Sequence, residues 1–240
     1  MKKATKCLLG GALVILLLTP VSQVKADWHQ DNIGWWYSLN NGSYYKNQEV
    51  YIDGKDYKFD SRGYMITGWQ YNVYNGGDYS GWYYYDPVNG DKKMGWQLID
   101  GKWYYLSAFG ARFGGQNIDG KQYYFDPVNC DMKTGWISYP GYSGTEWNYY
   151  DPVSGEKATG WRNIDGKWYY FLSHALKGFQ KIGDKRYYFD PVNSDMKTGW
   201  ISKQGYPGLE WYYYDPESGE GLSGWQTIDG KTYCFDEFGK

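Results

Sequence analysis

Residues 95–99 read GWQLI and residues 102–106 read KWYYL, with Asp100-Gly101 between them. Each five-residue run is rich in Trp, Tyr, Leu and Ile, which suit a pleated strand. Asp-Gly between two such runs is a strong short hairpin signal. The same unit returns as GWRNI-DG-KWYYF at 160–171 and as GWQTI-DG-KTYCF at 224–235. Side chains along a strand alternate between its faces. Trp103 and Tyr104 are therefore expected on opposite faces, and the turn brings Trp96 and Trp103 together on one of them.

The unit is part of a longer array. Gly-Trp pairs fall at 68–69, 95–96, 135–136, 160–161, 199–200 and 224–225, with degenerate copies at Gly114-Gly115 and Gly178-Phe179. Trp96, Trp161 and Trp225 recur at intervals of 65 and 64 residues. The linking stretches DPVNGDKK, DPVNCDMK, DPVSGEKA, DPVNSDMK and DPESGEGL are built from turn formers. Their acidic positions resemble calcium loops faintly, with too few ligands at unsuitable spacing for a Ca²⁺ cage. A lone hairpin is marginal in water, whereas stacked repeats stabilise one another through nearest-neighbour contacts. The pattern predicts an all-β fold, a solenoid of stacked β-hairpins over residues 50–240. Residues 27–49 read as a divergent first hairpin or an N-terminal cap.

The first 26 residues differ in kind. Lys2, Lys3 and Lys6 precede an apolar run from Leu8 to Leu18, and Val24-Lys25-Ala26 ends in a small residue. This reads as an export signal. The run falls short of the ~20 residues a bilayer span needs, so the expectation is a secreted product without membrane insertion.

Beyond that segment, long aliphatic runs are absent, while the chain carries 14 Trp, 29 Tyr and 33 Gly. Buried mass must then come from rings with polar tips. The net charge is −2 and no basic run occurs, which makes nucleic acid a poor partner. Cys130 and Cys234 lie several repeats apart, too far for the ~7 Å limit of a disulfide, and are read as separate substitutions. No nucleophile motif, metal spacing, phosphate loop or cofactor motif is present. The only histidines are His29 and His174, and His174 reads as a solvated turn residue. The repeated aspartates suit Asx turns better than acid–base pairs, so no enzyme activity is expected.

Three ring faces around a small hollow attract a quaternary ammonium group through the ring quadrupoles. Repeated weak boxes facing a polymer that repeats the ligand gain by effective concentration. GWQLIDGKWYYL, together with MKTGW at 132–136 and 196–200, resembles the choline-binding, or cell-wall-binding, repeat of Gram-positive surface proteins. Its pattern is roughly GWxxxxGxWYYxxxxGxMxTGW, and the resemblance spans nearly all of residues 60–240. It implies choline of teichoic or lipoteichoic acid held between two Trp of one repeat and a Tyr of the next, often beside a Met. Transferred to this chain, it implies five boxes: Trp69, Trp82 and Tyr104; Trp96, Trp103 and Tyr123; Trp136, Trp147 and Tyr169; Trp161, Trp168 and Tyr187; Trp200, Trp211 and Tyr233. Met65, Met132 and Met196 match the family methionine.

Two copies depart from this pattern, with Gly115 and Gln122, or Phe179 and Arg186, in place of the tryptophans, and the last copy has Thr232. One groove in three is therefore expected blank. The boxes beginning at Trp69, Trp136 and Trp200 have long inserts, such as YPGYSGTE at 139–146, expected to cover or reshape them. Related repeats in glucan-binding and clostridial toxin proteins take carbohydrate, so glucan remains an alternative ligand, with Asp119, Gln122 and Arg186 as hydrogen-bonding groups. A host or wall-enzyme protein is the third candidate partner, for an adhesin or interaction scaffold. The C-terminal FDEFGK carries no sorting signal, which points to non-covalent attachment at the cell wall.

Overall fold

The computed structural model describes residues 25–73, 80–141, 144–205 and 208–240. The expected export signal lies outside them except for residues 25 and 26, as do residues 142–143 of the insert at 139–146. Every regular element among the described residues is a strand. The chain divides into two compact units, Met1–Tyr71 with Tyr83–Lys93, and Asn72–Trp82 with Met94–Lys240.

In the first unit, Asp27–Gln30 pairs with Trp35–Ser38 as the first hairpin, and Gln48–Ile52 with Lys55–Phe59 as the second. The third, Gly68–Asn72 with Gly81–Tyr85, is divided between the units. The second unit continues with the fourth, Gly95–Ile99 and Lys102–Ser107, the fifth, Gly114–Ile118 and Lys121–Phe125, and the sixth, Gly135–Gly141 and Gly144–Tyr150. The seventh is Gly160–Ile164 with Lys167–Phe171, and the eighth Gly178–Ile182 with Lys185–Phe189. The ninth is Gly199–Gln204 with Leu209–Tyr214, and the tenth Gly224–Ile228 with Lys231–Phe235.

Turn chemistry sets the register. Asp100 and Gly101 both have positive φ, 50° and 75°, as a type I′ turn requires, and its twist matches that of the flanking strands. Ile99 then faces Lys102, Leu98 faces Trp103 and Trp96 faces Tyr105. Trp96, Trp103 and Tyr105 therefore share a forward face, while Tyr104 and Leu106 are buried on the rear face.

Each core is small and lies in one groove. Ile118, Tyr123 and Phe125 of the fifth hairpin's rear face pack against Trp96 and Tyr105 of the fourth. Ile164, Tyr169 and Phe171 likewise receive Trp136, Trp147 and Tyr149. The linkers stitch hairpins together: the amide of Lys157 donates to the Gln122 carbonyl and that of Ala175 to the Trp147 carbonyl, each at 2.8 Å. Aromatic burial of this kind supplies most of the stability in such an array.

The Asp-Pro linkers are Asx turns. Asp126 Oδ1 accepts the amides of Val128 and Asn129, each at 2.9 Å. The buried carboxylate of Asp131 takes the Lys133 ammonium at 2.9 Å and lies 3.6 Å from that of Lys102. Among the described residues no group of three or more candidate ligands could hold a metal ion. In the equivalent turn of the first unit, the Asn89 amide, the Lys93 ammonium and the Val88 amide hold the Asp86 carboxyl down at about 2. A depressed folded value means that this turn's contribution is complete above the ordinary carboxylate range and is lost as pH falls from about 4 towards 2. An NMR titration of the Asn89 amide should show its midpoint there; a midpoint near 4 would mean that the carboxylate is not held this way. Cys130 is buried and Cys234 exposed, and both are free thiols.

Candidate functional site

The register places three rings around each of four grooves in the second unit. In the fourth hairpin the Trp96 and Trp103 centroids are 6.3 Å apart with planes at 83°, and Tyr123 of the fifth stands 4.8 Å from Trp96 at 70°. Trp161 has Trp168 at 6.3 Å and 81°, and Tyr187 at 4.8 Å and 69°. Trp136 has Trp147 at 6.4 Å and 86°, and Tyr169 at 4.8 Å and 61°. Trp200 has Trp211 at 6.4 Å and 80°, and Tyr233 at 4.9 Å and 66°. The inner Trp is anchored by the core beneath it: Trp96 also meets Phe125 at 5.7 Å. The outer Trp stays accessible, with Trp103 44% and Trp168 46% exposed. Steeply inclined planes turn this corner into a shallow cage of π-faces. Burial first, then the Asp131 or Glu220 charge, pushes the Tyr104 and Tyr187 phenols up, so both rings remain neutral.

The remaining expected box is distributed differently. Trp69 lies in the first unit and packs on Tyr84 at 5.0 Å, while Trp82 and Tyr104 belong to the second. Trp82 is partly exposed and Tyr104 is buried.

The long inserts of the sixth and ninth hairpins leave the ring angles intact. In the sixth hairpin they extend the strands to Gly141 and Gly144, so the insert reshapes the space above the rings. Gly144 and Thr145 wall a cavity of about 760 Å³ that includes Trp136, Trp147 and Tyr169.

One ring set was absent from the sequence reading. Trp28 of the first hairpin meets Tyr57 of the second at 4.8 Å and 62°, and Phe59 at 5.9 Å. Trp35 faces Gln30 in register, as Trp103 faces Leu98. Trp28, Trp35, Tyr57 and Met65 line a cavity of about 290 Å³. The available signal was the seven-residue step from Trp28 to Trp35, the same as from Trp96 to Trp103. Asp27 in place of the usual Gly, and Asp31-Asn32-Ile33-Gly34 in place of Ile-Asp-Gly-Lys, concealed it.

The methionines follow an order of their own. Met65 bridges to Phe59, Met132 pairs with Phe125 and Met196 with Phe189. Those phenylalanines pack on Trp28, Trp96 and Trp161. Each Met therefore belongs to a short-spaced box upstream, not to the Gly-Trp that follows it in sequence. At the Trp136 box, Phe171 bridges to Ala175 instead.

The blank copies hold cations of the chain's own. Lys92 Nζ sits 4.3 Å from the Tyr83 ring centroid and pairs with Glu49 at 3.4 Å. In the second hairpin Glu49 and Asp56 occupy the tryptophan positions. Lys203 Nζ stands 5.4 Å from the Phe179 ring in the blank eighth hairpin. In the fifth, Gly115, Gln122 and Tyr150 line a cavity of about 350 Å³. The histidines hold structural contacts: His29 stacks on Trp36 at 4.3 Å, and His174 is half-buried, 3.3 Å from Glu146 Oε2, where a solvated turn residue was expected.

Residues 113–159 and 176–224 match the choline-binding repeat, and residues 94–108 and 159–173 match the putative cell wall binding repeat. The chain belongs to the choline-binding repeat family. The matched segments hold the ring sets of Trp96, Trp136 and Trp161 whole and that of Trp200 apart from Tyr233, whereas the Trp28 hairpin precedes them all. No curated protein matches the chain. Among solved structures, choline binding protein F from Streptococcus pneumoniae, in the presence of a peptidoglycan analogue, matches with a TM-score of 0.55 and 25% identity over 90% of this chain and 92% of that one. The modular autolysin LytC from Streptococcus pneumoniae matches with a TM-score of 0.55 and 28% identity, over 87% of this chain and 46% of that one.

Proposed function

We propose that this chain is an exported, non-catalytic binding protein that attaches non-covalently to a cell wall by holding choline groups of teichoic or lipoteichoic acid. The observation that carries this is the recurrence of one ring geometry in four grooves, with inner-to-outer Trp distances of 6.3, 6.4, 6.3 and 6.4 Å. A merely structural ring cluster would not need its outer Trp half in solvent. The sites are the boxes of Trp96, Trp136, Trp161 and Trp200, and the Trp28, Trp35 and Tyr57 box. Met65, Met132 and Met196 form the polarizable floor of the short-spaced ones.

Choline suits these boxes because its nitrogen has no proton to donate and needs only π-faces. Lys92 and Lys203, seated over rings in two blank grooves, illustrate the same preference for cations. A calorimetric titration with choline should give saturable binding with more than one site per chain, and a flat titration overturns the proposal. The polar groove of Gly115 and Gln122 favours a second, carbohydrate reading at the fifth hairpin. A dextran oligosaccharide titration that saturates while choline gives nothing would establish glucan as the ligand.

A further inference from the structure

The groove between the fifth and sixth hairpins has lost all three ring positions of a cage, and each loss is to a particular kind of residue. Gly115 stands at the inner Trp position and Gln122 at the outer one. Asn148 of the sixth hairpin pairs with Ile137, as Tyr104 pairs with Gln97, and so holds the Tyr position. The blank eighth groove is different, because Phe179 there still meets Tyr212 at 4.7 Å. Neither backbone nor packing requires glycine at 115. Its φ lies outside the left-handed region, and a Cβ there would meet nothing within 4 Å. The space that Trp96 fills in the preceding groove is thus open, and it forms a cavity of about 350 Å³ lined by Gly115, Gln116, Asn117, Gln122, Tyr123 and Tyr150. We infer that this groove is a second kind of ligand site, for a neutral N-acylated amino sugar whose amide pairs with the Asn148 carboxamide. The inference rests on the carbohydrate reading of this groove and not on the choline cages.

Asn148 supplies the independent observation. Its side chain is only 7% exposed, and its Oδ1 has no hydrogen-bond partner among the described residues. A buried acceptor without a donor is costly, and a ligand N–H removes that cost. A carboxamide presents an acceptor and a donor side by side. A ligand amide, with its own N–H and C=O, satisfies both at once, whereas a hydroxyl at the same carbon satisfies them less completely. Two more carboxamides stand across the groove as a register pair, Asn117 and Gln122. The Asn117 Oδ1 accepts the Gly120 amide at 3.1 Å, which leaves its NH2 group to donate to a sugar hydroxyl. The floor is aromatic: Tyr150 is buried, its hydroxyl lies 3.1 Å from that of Tyr139, and its ring is 6.0 Å from Tyr124. Such a surface suits a pyranose face and the methyl of an acyl group. No charged side chain lines the cavity, so it offers nothing to an anion, and without its tryptophans it offers a quaternary ammonium no cage.

The test follows the side-chain amide NMR signals of Asn148 and Gln122 in the whole protein, with the Trp168 indole as a monitor of the cages. The probes are N,N′-diacetylchitobiose and cellobiose, which share a linkage and differ in an acetamido group against a hydroxyl, and choline. Diacetylchitobiose is expected to move both amides saturably, with an affinity at least about tenfold above that of cellobiose, because a site built around a buried polar group rejects the ligand that leaves it unpaired. Choline should leave Asn148 unmoved. Gly115→Trp refills the open space and should abolish the diacetylchitobiose response, while the Trp168 response to choline stays as in the wild type. In Asn148→Leu the two disaccharides should agree within about twofold. Equal affinities for both disaccharides in the wild-type protein would overturn the amide site and leave the carbohydrate reading of the groove standing. No response to either disaccharide would overturn both, and a choline response at Asn148 would make the groove one more cation site. The choline cages are judged separately, at Trp168.

Discussion

Trp161→Ala is expected to remove both a binding box and part of the core, whereas Trp168→Ala removes the box alone. Trp161 meets Trp168, Tyr170, Tyr187 and Phe189, at centroid distances of 6.3, 5.2, 4.8 and 5.8 Å. Deleting a ring so enclosed costs about 3–4 kcal/mol of stability through lost burial and the cavity left behind. Because hairpins couple to their neighbours, the loss should appear as early unfolding of the seventh and eighth hairpins. Trp168 is 46% exposed, so its truncation should cost no more than about 1 kcal/mol. Both variants should still lose choline at that box by about tenfold or more. Urea unfolding and the Tyr187 ring signals during choline titration separate the two effects. Equal destabilisation would mean that Trp168 is core and that the cage is not a built site.

The second large effect concerns charge. Replacing choline by 3,3-dimethylbutan-1-ol keeps the shape and exchanges the cationic nitrogen for carbon. If three π-faces hold the cation, the neutral isostere should bind about 30-fold to 100-fold more weakly, the equivalent of about 2–3 kcal/mol over three partly desolvated rings. An apolar pocket would instead favour the uncharged molecule, which is cheaper to desolvate. Molar salt should change choline affinity little, since contact with ring faces is short-ranged compared with screened surface attraction. Calorimetry of both ligands at low and high salt gives the comparison. Near-equal affinities would reduce the rings to a hydrophobic slot.

Much of this architecture was legible in the chain because its local signals agree. Asp100-Gly101 determines turn type, turn type determines register, and register alone places Trp96 and Trp103 on one face with Tyr104 on the other. The ring partners of Trp96 and Trp161 follow from that logic and from the order of the hairpins, whereas those of Trp136 and Trp200, whose hairpins lack the Asp-Gly turn, follow from the repeat pattern. Other features depend on what packs across a groove, which no local pattern encodes. The Trp28 ring set keeps the spacing but not the flanking glycine or the Asp-Gly turn. Met132 precedes Trp136 by four residues yet packs with Tyr123 and Phe125, because its short strand folds back on the fifth hairpin. Nothing in the local sequence marks Lys92 or Lys203, and only the fold seats them over rings. The described residues of the insert at 139–146 lengthen the strands, because Tyr139, Pro140 and Gly141 continue the ladder against Glu146, Thr145 and Gly144.

The central claim is that these ring sets are cation cages built for choline. Its most direct test is retention of the protein on a tertiary-amine resin that mimics choline, washed with molar salt. Retention through the wash, with elution by free choline and not by 3,3-dimethylbutan-1-ol, is the predicted result. Release by salt alone, or elution by the neutral alcohol as readily as by choline, would contradict it.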